Sequence, residues 1–210
     1  MKRCGQFLLS NGFLFLMFSA LVLFSGIGLP DARAASNEQK IETLLNHAES
    51  YSKNKSNHSV VLKLCNEAIR LQPREVGTYY RCGFILGRMG DYVSAVKNFS
   101  YVIKNDGNSG RLKYPAARKF RADCFMGLGM LQNAIDDYSH IVKQNPKGDS
   151  TGKIWFYLAE ALALANRKDL ALNAIEQGCA TGSHWCERMR FLQAKILKGE
   201  QIVPHQPLSN

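Results

Sequence analysis

Gly90-Asp91-Tyr92-Val93-Ser94-Ala95-Val96-Lys97-Asn98-Phe99 and Gly129-Met130-Leu131-Gln132-Asn133-Ala134-Ile135-Asp136-Asp137-Tyr138 share one register. Each opens on a glycine, reaches an alanine in its second half and closes on an aromatic ring. A looser copy, Asn166-Arg167-Lys168-Asp169-Leu170-Ala171-Leu172-Asn173-Ala174-Ile175, puts Ala171 and Ile175 in the same places. Self-similarity at such a period marks stacked helical units, each too small to bury its own apolar face. The key alanines recur at about 34 residues plus short insertions, and those insertions, Gly110 to Tyr114 and Asp149 to Thr151, fall where loops between units belong. Small residues let two helices approach closely where they cross, so Ala95, Ala134 and Ala171 are expected to be buried.

The pattern resembles the tetratricopeptide repeat, whose unit is a pair of antiparallel helices. The family carries a large residue at position 4, small ones at 8 and 20, aromatic or aliphatic ones at 11 and 24, and often proline at 32. Trp155, Leu158, Ala159, Leu162, Ala171 and Ile175 fit one unit, and Tyr79, Gly83, Leu86, Ala95, Phe99 and Val102 another. A third has Ala122, Phe125, Ala134, Tyr138, Ile141 and Pro146 but carries Arg118 and Arg121 at positions 4 and 7, which predicts a less regular first helix. A degenerate first unit uses Leu44, Ala48, Tyr51, Val61, Cys65, Ala68 and Pro73, with an extra residue in the Ser52 to Asn57 turn. The resemblance implies an all-α fold, a right-handed superhelical stack of about four such hairpins over 37–198. Trp185, Met189, Leu192 and Ile196 recur at helical spacing beside Arg188, Arg190, Lys195 and Lys198, the pattern of an amphipathic capping helix. Beyond it, 199–210 holds Pro204 and Pro207, lacks periodicity, and reads as a flexible tail.

In this family the concave groove is lined by the first helix of each unit. Carried over, the partner-binding positions are Leu45 and Glu49; Tyr80, Phe84 and Arg88; Lys119, Asp123 and Met126; and Lys153, Phe156 and Glu160. Aromatic anchors beside cations suit a protein or peptide partner. The family's carboxylate clamp for acidic chain ends is not implied, because Glu49 and Phe84 stand at a clamp position. The basic stretch Arg111, Lys113, Arg118, Lys119 and Arg121 has no interleaved aromatic ladder, so nucleic acid is not an expected partner.

Residues 1–34 read as a signal peptide: Lys2 and Arg3 precede the apolar run Phe13 to Phe24, and Pro30 precedes the small-x-small site Ala32-Arg33-Ala34. The alternative is an N-terminal membrane anchor, since Phe13 to Leu29 approaches spanning length. Cys4 lies ahead of the run, on the wrong side for lipid attachment. The full chain of 210 residues is 46% hydrophobic and 21% charged, the profile of an ordinary folded domain. Its net charge is +10; without Lys2, Arg3, Arg33 and Asp31, 24 basic against 16 acidic residues leave +8. A basic balance favours acidic partners but says nothing about fold.

Cys179 and Cys186 bracket the turn before the capping helix, a spacing suited to a disulfide in an oxidising compartment. With His184 between them they offer a rival redox or metal-binding reading, though no fourth donor is near. Cys65, Cys82 and Cys124 sit at packing positions as small apolar residues. His47, His58, His140 and His205 are dispersed, and no phosphate-binding glycine loop follows a strand. The expected protein is therefore non-catalytic and cofactor-free. It is expected to be a periplasmic or secreted scaffold or assembly factor of the bacterial envelope, meeting a membrane only through an uncleaved N-terminal segment.

Overall fold

The computed structural model of the chain describes residues 32–107, 113–147, 151–205 and 208. Those residues are all-α, without a strand. The helices are α1 (Ala32–Tyr51), α2 (His58–Leu71), α3 (Val76–Met89), α4 (Tyr92–Asn105), α5 (Ala117–Gly127), α6 (Leu131–Gln144), α7 (Thr151–Leu164), α8 (Lys168–Ala180) and α9 (Cys186–Lys198). A 3-10 turn, Lys55–Asn57, takes up the extra length between α1 and α2. Every helix packs on the one before and the one after it in the chain. No helix among the described residues is long and apolar enough to cross a membrane. The signal-peptide or anchor reading falls on 1–34; 1–31 lie outside the described residues, and 32–34 open α1.

The three recurring stretches make one and the same turn. Gly90, Gly129 and Asn166 all take positive φ, at 91°, 70° and 59°. The residue after each donates its N–H back to a helix carbonyl, Asp91 to Leu86, Met130 to Phe125 and Arg167 to Leu162, at 3.0, 2.9 and 2.9 Å. Such a left-handed cap reverses the chain within two residues, and asparagine is the side chain that best replaces glycine there. The next helix then starts in common register: Ala95 donates to Asp91, Ala134 to Met130 and Ala171 to Arg167.

Ala95, Ala134 and Ala171 are fully buried. Between α3 and α4 the approach is close enough that a Cβ on Gly83 would stand 3.0 Å from the Phe99 ring. Successive hairpins are braced at their junctions by a second repeated device. The Tyr79 hydroxyl donates to the Pro73 carbonyl at 3.0 Å, and the Trp155 indole N–H donates to the Pro146 carbonyl at 3.3 Å. Pro73 O accepts a further bond from Tyr101, whose ring stacks on Tyr79 at 3.7 Å.

Two local expectations change. On α1 the buried stripe is Ile41, Leu45 and Ala48, whereas Tyr51 is 48% exposed, so the helix is rotated from the Leu44–Ala48–Tyr51 register. On α5, Arg118 and Arg121 are absorbed by one buried acid. Asp137 of α6 accepts two bonds from Arg121, both 2.7 Å, and one from Arg118 at 3.0 Å. The apolar residues gather in three clusters, centred on α1–α3, on α3–α5 and, largest, on α5–α9. Met189, Leu192 and Ile196 seat α9 on the last cluster, and a Cys179–Cys186 disulfide ties α8 to its start.

Candidate partner-binding face

The first helices of three hairpins, α3, α5 and α7, join through one continuous run of rings and cations. Tyr80 stacks on Tyr114 at 4.7 Å, and Phe84 meets Phe120 at 5.3 Å. The Lys119 ammonium lies 4.9 Å from the Phe120 ring centre and 5.6 Å from that of Tyr157. Lys153 reaches Tyr157 at 5.6 Å and Trp185 at 5.5 Å, and Phe156 packs on Trp185. Cation–ring contacts of this length are attractive while leaving the ammonium able to meet another group. Burial, aided by the charge of Lys119, lowers the Lys153 pKa from its usual value.

Under this wall lie two buried carboxylates. Asp123 accepts from the Tyr138 hydroxyl and from Lys119, each at 2.7 Å. Burial alone would push its carboxyl up, but His205 and Lys119 outweigh that and hold it below the usual carboxylate range. Glu160 is as deeply buried, and the groups that donate to it are the ring and the backbone N–H of His205. The His205 ring stacks on Tyr157 at 3.9 Å with 16° between planes, and its Nε2 stands 3.8 Å from Asp123. That separation is ionic contact, too long for a hydrogen bond. Burial opposes a charged His205, yet the two carboxylates prevail and raise its pKa above the ordinary histidine value. Burial and the same carboxylates push the Tyr157 hydroxyl to about 12.

The described residues after α9 make contacts on this face. Ile202 packs on the large cluster, His205 caps the carboxylates, and Leu208 is buried against α3, α4 and α5. Leu208 enters because α3 has glycine at its bottom: a Cβ on Gly87 would lie 2.1 Å from a Leu208 methyl. A cleft of about 520 Å³ opens between Phe156 and Glu160 of α7, Phe191 and Leu192 of α9, and Ile202 and Val203.

The expected site residues divide accordingly. Tyr80, Phe84, Lys119, Lys153 and Phe156 are half-buried on the wall, and Arg88 is exposed beside Phe84. Asp123 and Glu160 belong to the site but lie under His205 instead of on an open surface. Met126 is core, packed among α5, α6 and α7. Leu45 is also core, a consequence of the rotated α1, and Glu49 is exposed on that same helix, outside the α3–α5–α7 wall. Sequence reasoning missed Gly87, Phe120, Tyr157, Trp185, His205 and Leu208. Phe120 and Tyr157 each follow a predicted wall residue by one position, a signal that was readable; His205 and Leu208 carry none.

Of the basic stretch, Arg118 and Arg121 bind Asp137 and Lys119 binds Asp123, Lys113 is exposed, and Arg111 lies outside the described residues. Among the described residues no group of three or more His, Cys, Asp or Glu is placed to hold a metal ion. His58 instead meets Asp91 at 2.8 Å, and Cys179 and Cys186 are joined to each other. No protein-family model matches the chain, and no curated protein matches it.

Proposed function

We propose that this chain is an exported helical-repeat scaffold of tetratricopeptide type, a right-handed superhelical stack that performs no catalysis and holds an extended segment of a partner protein on its inner face. The repeated left-handed turn, the buried crossing alanines and the proline-anchored junctions favour the stack. A disulfide persists in oxidising compartments, which favours the periplasm or the exterior over the cytosol. The observation that carries the binding role is that the α3–α5–α7 face already holds an irregular stretch of backbone, through a carboxylate, a ring stack and an apolar pocket. Rigid aromatic area with a few placed charges is the composition of recognition surfaces.

Site-specific photo-crosslinking in the native host tests the assignment. A crosslinker at Phe156 or Arg88 on the wall captures a discrete protein, and one at the exposed Leu170 of α8 does not. Equal capture from both positions, or none from the wall, removes the inner-face scaffold reading.

A further inference from the structure

Glu160 is a buried acid whose described hydrogen bonds all come from His205, which ends a described stretch, 200–205, without helix or strand. His205 and Leu208 are held by interactions a separate peptide would make: an imidazole on a carboxylate, a ring stack, a backbone N–H to the same carboxylate, and an aliphatic side chain in a glycine-floored pocket. Asp123 is matched by Lys119, but Glu160 has no described cation other than His205. Lifting the segment would remove that ion pair and open Glu160 on the face, where an incoming cation can take the place of His205.

We infer that His205 and Leu208 act as a ligand in cis, occupying the site at which the partner docks, and that the partner fitting this site presents a cationic side chain three residues ahead of an aliphatic one. This rests on the scaffold reading and adds the chemistry of the partner to it. His205 supplies the cation and Leu208 the aliphatic group. Glu160, with Asp123 behind it, selects the first, and Gly87 admits the second. The partner displaces a tethered competitor. A short tether sets an effective concentration on the order of mM, so a segment that binds in trans with a Kd of about 0.1 mM is weakened about tenfold by its own copy in cis.

The test uses the full chain and, as probe, a fluorescein-labelled peptide of residues 200–210, read by anisotropy near pH 6. The intact chain is compared with a His205→Ser, Leu208→Ser variant, in which the site is vacated without touching its walls. The opened variant is expected to bind the probe at least tenfold more tightly than the intact chain. Adding Glu160→Gln to it returns binding to the intact level, while its helical circular dichroism stays unchanged. A probe with lysine in place of its histidine still binds; a probe carrying both serines does not. If the opened, folded variant binds no better than the intact chain, or takes the doubly serine-substituted probe equally well, the inference is wrong. Peptide capture together with an empty crosslinking result sinks the scaffold reading and leaves the site chemistry standing. A crosslinked partner together with no peptide capture does the reverse.

Discussion

Asp137 pairs with two arginines across the α5–α6 hairpin, and removing its carboxylate tests whether that charge cluster holds the hairpin together. Asp137→Ala deletes three charge-assisted bonds, two of 2.7 Å to Arg121 and one of 3.0 Å to Arg118. Breaking a buried ion pair from one side costs about 3 to 5 kcal/mol, because the surviving charge is left without compensation. Here the arginine side chains keep 19% and 26% of their exposure, and Arg121 retains a bond to Ser100, so the lower end, about 3 kcal/mol, is expected. For a domain of this size each kcal/mol shifts Tm by about 2 to 4 °C, which places the drop at about 6 to 12 °C. Urea and thermal unfolding followed at 222 nm measure both. Replacing Arg121 together with Asp137 by leucine should recover more than half the loss, since Arg118 can turn to solvent while an apolar pair fills the gap. A loss below about 0.5 kcal/mol for Asp137→Ala, the range of ordinary surface changes, would refute the reasoning.

Four further outcomes follow from the same contacts. Ala134→Leu overfills a fully buried crossing and should lower the urea-unfolding free energy by about 1 to 3 kcal/mol, whereas the same change at exposed Ala180 should stay within about 0.5 kcal/mol. His205 faces Asp123 of α5 and Tyr157 and Glu160 of α7, with Lys119 of α5 and Tyr138 of α6 bonded to that same Asp123, and its folded pKa is raised. The docked segment is therefore fully stabilised below about pH 6.5 and loses that contribution as pH rises through the higher folded value; NMR of the His205 ring should give a midpoint above that of the free 200–210 peptide. Gly87→Ala should lift Leu208 and speed amide hydrogen exchange at His205, with the helices still protected. Cys65, Cys82 and Cys124 are buried, and burial pushes the Cys124 thiol up to about 12, so mass mapping should find all three unlabelled by a thiol reagent until the chain unfolds.

The hairpins were legible because each depends on its own short stretch of chain. A glycine or asparagine that tolerates positive φ, an alanine five positions later and an aromatic or aliphatic side chain four beyond that specify turn, crossing and packing partner together. The degenerate first unit was misread by a rotation of α1, since Ile41, Leu44 and Leu45 are all apolar and local periodicity does not choose among them. Arg118 and Arg121 looked like defects because their partner, Asp137, sits on the next helix among other polar residues.

Sequence by itself therefore determined the elements, the turns between them and the three crossing alanines, all set by interactions within one repeat period. Tertiary structure alone decided which face is covered and by what. His205 finds Glu160 across 45 residues of chain, and Leu208, beyond the last helix, finds Gly87 of α3. Neither pairing leaves a local periodic trace, because a side chain that docks into a surface built by other helices is chosen by the shape and charge of that surface and not by its neighbours in sequence.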